Sequence, residues 1–286
     1  KNVLLQGNAY HATINAVINS GNKPIFSDID YKSNHFDRGI ENWAGNHNID
    51  IILPVHYFGK VNAIDQSKLS GIEILEDFSQ ALGSQKDTWK CGSEGIINAA
   101  SLYPTKNLGA LGDAGIVTCN DNDLNKKCRE LKNYGEDSYY HLNHIGVNSR
   151  MDEIQAAFTS VFLEHFDEIK KQKFTLYKRY NEELQDIEAL ETPSFDADEI
   201  PYLYVIKSDK RTELEDYLSN LQISTKRHYP QPITEQKVYD KFLKMNQNTL
   251  ENTKKWHDDV LSLPFYIGMT EAELDYVLTS VRNFFS

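Results

Sequence analysis

Cysteine is scarce in this chain, and long apolar runs are missing. Cys91, Cys119 and Cys128 have neither metal-ligand spacing nor the even number that a disulfide framework requires. Such usage is typical of a reducing compartment, so we expect a cytoplasmic location. No segment approaches the roughly 20 apolar residues of a membrane-spanning helix, and no signal segment opens the sequence. We therefore expect no membrane association.

Positive charge is also in short supply. The 286 residues include 30 Lys and Arg against 42 Asp and Glu, which gives a formal net charge of -12. This balance argues against nucleic acid as the main partner, because binding its backbone needs a basic face. A small anionic ligand is still allowed, since it needs only a few local cations. The length is sufficient for one large domain or two.

The first half of the chain alternates short apolar runs with amphipathic ones, which predicts an α/β fold with a mostly parallel central sheet flanked by helices. The predicted strands are Asn2–Leu5, Pro24–Asp28, Ile49–Val55, Gly71–Leu75, Ile96–Leu102 and Gly115–Cys119. The predicted helices include Ala12–Asn19 and Asp121–Leu131.

A long helical pattern begins at Asp152. Its apolar stripe, at spacings of three and four, predicts a face that lies in the core or at a subunit contact; the stripe consists of Ile154, Phe158, Val161, Phe162, His165, Phe166 and Ile169. The stretch Thr192–Pro201 is predicted to be a connecting segment. A smaller α+β unit follows, with a strand near Tyr202–Ile206, a helix near Thr212–Leu221 and a final helix Glu271–Phe285. We predict a large domain over residues 1–170 and a small one over 171–286.

The stretch Ser101–Asp113 carries the strongest chemical signal. Lys106 lies in a Gly-flanked loop after a predicted strand, and the preceding predicted strand is followed by Glu76 and Asp77. Because ligands collect at the carboxyl ends of parallel strands, Asp77 and Ser101 fall where a site is expected. A loop lysine with a strand-end acid and a strand-end serine is what a pyridoxal phosphate enzyme needs. By itself a loop lysine is usually a solvated surface charge.

Seven segments together resemble the DegT/DnrJ/EryC1/StrS aminotransferases, in family order along nearly the whole chain. They are Lys23–Asp30, Leu53–Gly59, Leu75–Ala81, Ser101–Gly109, Gly146–Ala157, His228–Pro230 and Leu261–Pro264. The resemblance implies a fold-type I enzyme that uses pyridoxal 5'-phosphate to put an amino group on nucleotide-linked keto sugars. It further implies a cytoplasmic homodimer with shared active sites, working in amino-sugar or polysaccharide biosynthesis such as that of lipopolysaccharide or O-antigen.

The resemblance also implies roles for single residues. Lys106 corresponds to the Schiff-base lysine, Asp77 to the acid under the pyridine nitrogen, and Gln80 to the partner of the phenolic oxygen. Ser101 corresponds to a phosphate-binding hydroxyl, although Asp77 could also cap a turn. Tyr10 corresponds to the stacking aromatic, with packing at a helix start as its alternative. Asn148 corresponds to an Asn that reaches the cofactor phosphate of the partner subunit.

Four residues are candidates for substrate contact. His56, His228 and Tyr229 are candidates for the sugar or nucleotide pocket, although a histidine near an apolar run is more often a core residue. Arg150 either contacts a substrate anion or pairs with an acid. His141 and His144 lack further ligands, so we expect no metal site.

Within the family, we expect glutamate as the amino donor and favour amination at C-3 over C-4, from the run Lys106–Gly109. A related sugar dehydratase is disfavoured by Lys106, because histidine stands there in that branch. A non-catalytic or regulatory member is the other alternative. Family members carry a Gly-Thr-type phosphate loop before the position of Asn2. The sequence begins at Lys1, after the position of this loop. Either the sequence is cut short, which we favour, or the protein lacks this part of its cofactor-binding site.

Overall fold

Strands and helices alternate in the first half of the chain, and helices dominate the second. The computed structural model describes residues 1–244 and 249–286. Its strands are β1 (Asn2–Gln6), β2 (Lys23–Ser27), β3 (Ile51–Ile52), β4 (Glu73–Asp77), β5 (Gln85–Lys86), β6 (Trp89–Lys90), β7 (Ile97–Ser101), β8 (Gly115–Thr118), β9 (Glu136–Ser138), β10 (His141–Leu142), β11 (Tyr204–Lys207) and β12 (Val260–Leu263). Its α-helices are α1 (His11–Asn19), α2 (Ile40–Asn46), α3 (Asn122–Leu131), α4 (Glu153–Glu164), α5 (Phe166–Leu184), α6 (Arg211–Asn220), α7 (Asp240–Leu243), α8 (Glu251–Asp259) and α9 (Glu271–Phe285).

Six strands form the main sheet in the order β2-β1-β3-β4-β7-β8. The first five run parallel to their neighbours, and β8 pairs antiparallel with β7 at the edge. The chain extends the sheet from β1 to β2 in one direction and from β3 to β8 in the other. The predicted α/β fold with a mostly parallel sheet is confirmed. Ligands of such sheets collect at the carboxyl ends of the strands.

Side chains of the central strands alternate between two cores, one on each face of the sheet, as the two-residue period of a strand requires. Val3 and Leu5 pack in one core, and Leu4 packs in the other. Ile51 and Ile52 divide in the same way. The sheet is thus buried on both faces, which is why these strands read as continuous apolar runs.

The second half of the chain builds a further core around the antiparallel pair β11 and β12. Helices α5, α6 and α9 contribute Tyr180, Leu214 and Val281 to it, and these side chains are fully buried. Val205 and Trp256, however, pack into a core of the main sheet. The cores therefore share elements across residue 170, and the proposed division into domains at that point remains a prediction.

The helical stripe of residues 154–169 is divided between two helices. A break at His165 separates α4 from α5. Phe166 packs against a small core beside Leu102 and Leu108. The α4 part is exposed instead, with Ile154 and Val161 both more than half accessible. The α4 part of the stripe therefore does not lie in the core of this chain. Of the two predicted roles, the subunit contact is the one that remains for it.

Local sequence signals fix several element ends. The Asp121 carboxylate accepts a hydrogen bond from the Leu124 N–H at 2.8 Å and begins α3. Thr270 and Glu273 form a capping box at the start of α9. Gly59 has a positive φ, and a side chain there would collide with the Ile200 carbonyl.

In the described part of the chain, no helix is both long and apolar enough to cross a membrane.

Candidate active site

Two polar residues end neighbouring parallel strands, Asp77 on β4 and Ser101 on β7. The Asp77 carboxylate accepts a hydrogen bond from the Thr13 hydroxyl at 2.6 Å and another from the Ser79 N–H at 3.1 Å. Thr13 lies in the first turn of α1 and is buried. Hydrogen bonds to an ionised carboxylate are strong, so the position of this negative charge is well fixed.

Lys106 lies in the loop that follows β7, and its ammonium nitrogen is 4.9 Å from the centroid of the Tyr202 ring. Burial lowers the pKa of Lys106, and the negative charge of Asp77 opposes part of that effect. The Tyr202 hydroxyl is hydrogen-bonded to the Thr105 hydroxyl at 3.1 Å. A lysine amine of lowered pKa next to a fixed carboxylate is suited to both nucleophilic and proton-transfer chemistry.

Tyr10, Gln80 and Tyr229 form a connected group beside these two residues. The side-chain N–H of Gln80 donates to the Tyr229 hydroxyl at 3.0 Å, and its oxygen accepts from the Phe58 N–H at 3.0 Å. The ring centroids of Tyr10 and Tyr229 are 4.7 Å apart. Tyr10 is 37% exposed, so its ring can still contact a flat ligand. Burial raises the pKa of Tyr229, so its hydroxyl stays protonated at neutral pH.

A groove of about 1070 Å³ runs over the face of β4, β7 and β8, and both Asp77 and Ser101 line it at the carboxyl ends of their strands. Ser101 Oγ accepts from the Tyr103 N–H at 3.1 Å, which leaves the hydroxyl proton able to donate to a ligand. Asn148 and Arg150 line the same groove and are exposed. Arg150 donates to the Asn133 side chain, so part of its hydrogen-bonding capacity is already used.

A second cavity, of about 760 Å³, is lined by Lys106. His228 lines it, with Nδ1 at 2.7 Å from the Ser262 hydroxyl. Burial and the charges of Lys226 and Lys106 lower the pKa of His228 to about 4. His228 is therefore neutral at physiological pH and can both accept and donate hydrogen bonds.

Comparison with known proteins decides the family. The model of the DegT/DnrJ/EryC1/StrS aminotransferase family matches residues 1–282. This chain belongs to that family. Its members are pyridoxal-phosphate-dependent aminotransferases, so this protein is an aminotransferase and its cofactor is pyridoxal phosphate.

Two relatives and one solved structure illustrate the match. A pleiotropic regulatory protein of Geobacillus stearothermophilus is 31% identical, over 96% of this chain and 76% of that protein. The dTDP-3-amino-3,4,6-trideoxy-alpha-D-glucose transaminase of Micromonospora megalomicea subsp. nigra is 30% identical, over 98% and 78% respectively. The crystal structure of NtdA from Bacillus subtilis with bound PMP has a TM-score of 0.85 and 28% identity, and the match covers all of this chain and 68% of that one.

The aminotransferase presents side chains that fit the cofactor. Asp77 would present a fixed carboxylate to a protonated ring nitrogen, and Lys106 would present its amine to the aldehyde carbon. Ser101 has a hydroxyl proton free for a phosphate oxygen, and Tyr10 has an accessible ring face for the pyridine. Gln80 uses its oxygen for the Phe58 N–H and one amide N–H for Tyr229, which leaves its second N–H for the predicted contact with the phenolic oxygen.

His56 is the sequence-predicted residue that the structure does not bring to the site. It is fully buried, and Nε2 lies 2.9 Å from the Glu76 carboxylate. Because Nδ1 accepts a hydrogen bond from the Asn62 N–H at 3.0 Å, both ring nitrogens are used inside the protein. His56 therefore has a structural role, and the expectation that it contacts the sugar is corrected.

Glu76 is the centre of that buried cluster. Its two oxygens accept hydrogen bonds from His56 and Trp89 side chains and from three backbone N–H groups, those of Gly92, Glu94 and Gly95. Burial favours the neutral acid, but these donors prevail and lower the pKa of Glu76 to about 2. His56, Glu76 and Cys91 place potential ligand atoms within 4.8 Å of one another. With the carboxylate and imidazole already occupied, this cluster is not suited to a metal ion.

Three residues of the site escaped sequence reasoning: Thr13, Tyr202 and Lys173. Thr13 had a weak signal, because a polar residue on the inward side of a helix usually has a partner. Tyr202 and Lys173 had none, since they reach Lys106 or its cavity only through the packing of α5 and the segment before β11.

Proposed function

We propose that this enzyme transfers an amino group from an amino acid, with glutamate as the donor, to a nucleotide-linked keto-deoxy sugar. The single observation that carries the proposal is that the negative charge of Asp77, held by the Thr13 hydroxyl, acts on Lys106, whose ammonium lies over the Tyr202 ring. The relative that aminates a dTDP sugar at C-3 supports this substrate class and our preference for C-3 over C-4. We infer a cytoplasmic role in amino-sugar or polysaccharide biosynthesis.

Bound pyridoxal phosphate supplies an electron-withdrawing ring that stabilises negative charge on the carbon next to the transferred nitrogen. Asp77 keeps its carboxylate in place to hold a proton on the ring nitrogen, with Thr13 and Ser79 fixing its orientation. Burial of Lys106 lowers its pKa, so its Nζ can accept a proton from the substrate carbon and release it again.

Further residues bind and orient the substrate in this proposal. His228 is neutral and fixed by Ser262, so it can hydrogen-bond a sugar hydroxyl without adding charge. Tyr229 is oriented by Gln80 and packs against Tyr10, so it would support the ring of Tyr10 that stacks on the cofactor. Arg150 lies at the groove and is available to an anion.

We propose a homodimer with shared active sites. The exposed apolar side chains of α4 need a partner surface, because contiguous exposed apolar patches mark interaction sites. Gln155 of α4 accepts a hydrogen bond from the Leu111 N–H at 2.8 Å, which connects this helix to the loop after Lys106. Asn148, predicted to reach the partner's cofactor phosphate, lies four residues before Asp152, the N-cap residue of the same helix.

A regulatory, non-catalytic member is the second candidate function; the name of the Geobacillus relative, a pleiotropic regulatory protein, favours the regulatory part of it. The presence of Lys106, Asp77 and the Tyr10 ring face opposes it, since a protein without turnover does not need them. A sugar dehydratase is opposed by Lys106 for the reason given from the sequence.

The deciding experiment is an absorbance spectrum of the protein with pyridoxal phosphate, before and after glutamate. We expect a visible band that glutamate converts to the amine form of the cofactor. Borohydride followed by mass spectrometry should place the cofactor on Lys106, and Lys106→Met should show no such attachment. Lys127→Met, which alters an exposed lysine of α3, is the control. A protein that binds the cofactor but leaves it unchanged with glutamate would favour the regulatory alternative.

A further inference from the structure

Lys173 is a buried lysine with no ion-pair partner among residues 1–244 and 249–286. It lies on α5 and is 5% exposed. Among the described residues, its one hydrogen bond goes to the Tyr202 carbonyl at 3.4 Å. Its nitrogen lies 5.6 Å from the Tyr202 ring centroid and 5.5 Å from that of Phe265. Two of its three N–H donors thus remain available to a ligand.

Lys207 provides the contrast within the same chain. It is 6% exposed, but its ammonium lies 2.7 Å from the Glu191 carboxylate and also donates to the Tyr31 carbonyl at 3.0 Å. A buried charge is costly unless it is paired. Lys207 is paired, whereas the part of the chain that the structure describes offers Lys173 no carboxylate. We therefore look for the partner of Lys173 in a ligand.

Lys173 and Lys106 line the same 760 Å³ cavity and share the Tyr202 ring. Their nitrogens lie 5.6 and 4.9 Å from its centroid, so they are separated by no more than the sum of these distances. A substrate whose amino group is at Lys106 can therefore extend a second polar group toward Lys173. The other titratable groups that line this cavity are Lys226, His228, Tyr202, Tyr266, Tyr276 and Glu273.

Those neighbours leave the cavity with an excess of positive charge. Among the described residues that line it, Glu273 is the one carboxylate, and that group accepts hydrogen bonds from the N–H and hydroxyl of Thr270 at 2.8 Å each. His228 is neutral. An anionic ligand is therefore the chemistry that this cavity favours.

We propose that Lys173 binds the side-chain carboxylate of the amino-acid donor and so selects dicarboxylic donors over neutral ones. The inference rests on the proposed function. A single buried ammonium balances a single carboxylate, whereas a diphosphate carries more charge than one such group can balance. The diphosphate of the sugar substrate is the competing source of an anion, and the more accessible Lys226 is better placed to meet it.

The first test measures binding without the cofactor, by calorimetric titration of the protein with glutarate and, separately, with a nucleoside diphosphate. Lys173→Met should weaken glutarate binding at least tenfold and leave nucleotide binding unchanged. Lys178→Met, at an exposed position of α5 outside the cavity, should alter neither. Equal glutarate affinity in wild type and Lys173→Met, no glutarate binding by wild type, or selective loss of nucleotide binding would each overturn the assignment.

A second test uses the loaded enzyme and compares glutamate with alanine as donor. Lys173→Met should raise the KM for glutamate at least tenfold, with a much smaller change for alanine and for kcat. Unchanged discrimination between the two donors would overturn the proposal. Since the titration needs neither pyridoxal phosphate nor a sugar, its result is separate from that of the spectroscopic test of the proposed function. Circular dichroism shows whether the variant is folded.

Discussion

At the scale of single residues, the site depends on hydrogen bonds that fix one charge. The Thr13 hydroxyl donates to the Asp77 carboxylate at 2.6 Å, and both side chains lie close to the expected position of the cofactor ring. A hydrogen bond to a charged group typically contributes about 1.5–3 kcal/mol. Thr13 is therefore as much a part of this site as the residues that the family motif identifies.

Replacement of Thr13 by valine tests this contribution, because valine keeps the shape and removes the hydroxyl. We expect kcat/KM to fall about tenfold, since the loss of roughly 1.4 kcal/mol of orientation energy corresponds to that factor. Thr13→Ser, which retains the donor, is the matched control and should recover most of the activity. Steady-state kinetics with both variants measures the effect. If Thr13→Val were fully active, the bond would have no role in holding Asp77 for the reaction.

How far the sequence predicts single residues depends on the range of the contacts involved. Asp77 and Ser101 could be placed because a strand end is a local feature, and parallel strands bring such ends together. His56 was misplaced because its use by Glu76 and Asn62 depends on contacts that no local pattern shows. Tyr202 and Lys173 depend on packing between distant segments, and so they remained hidden.

At the scale of elements, apolar periodicity predicted the main strands and several helices well. The final helix was predicted with its observed bounds, Glu271–Phe285. Strand β3 is shorter than predicted: regular pairing covers Ile51–Ile52 and then reduces to a bridge at Val55, after Pro54, which has no N–H to donate. Helix α2 was not predicted, because its seven residues include a glycine and two asparagines, which have low helix propensity.

The buried charge of Lys173 on α5 lowers the stability of the fold, and this effect can be measured from the pH dependence of the free energy of unfolding. Burial lowers the pKa of Lys173 from its ordinary value of 10.5 to about 8. Between these pH values the unfolded chain binds more protons than the folded one, so the contribution of Lys173 to stability increases as pH rises from 8 to 10.5. Below pH 8 the destabilisation by Lys173 is complete. The lowering of its pKa corresponds to about 3 kcal/mol of unfolding free energy.

Lys173→Met removes this cost. We expect the variant to be more stable than wild type at pH 7, by up to about 3 kcal/mol, and the difference to shrink as pH approaches 10.5. Urea denaturation of both proteins across this range gives the difference, in which the other titrating groups cancel. The exposed Lys178→Met should stay close to wild type throughout. A variant less stable than wild type at pH 7 would show that the aromatic contacts of Lys173 outweigh its desolvation.

At the scale of the whole molecule, the chain leaves one helix with an apolar face that its own cores do not cover. The large apolar residues of α4 are at least 40% exposed; they are Ile154, Phe158, Val161, Phe162 and Leu163. Burying a side chain of this size is worth about 1.5–3 kcal/mol. A second copy of the chain that covered this face would therefore gain a substantial part of the free energy that a stable dimer needs.

Phe158→Glu combined with Phe162→Glu tests the predicted dimer, because these two rings lie one turn apart on the same face of α4. We expect the wild-type protein to elute as a dimer, and the double variant to elute as a monomer, in size-exclusion chromatography with light scattering. Val238→Glu alters an apolar residue that is 68% exposed elsewhere and should leave the dimer intact. Because the groove residue Asn148 lies four residues before Asp152, the N-cap of α4, separation of the subunits should also weaken pyridoxal phosphate binding. A wild-type protein that is monomeric at micromolar concentration would remove the basis for shared active sites, and each groove would then have to hold its cofactor with residues of one chain.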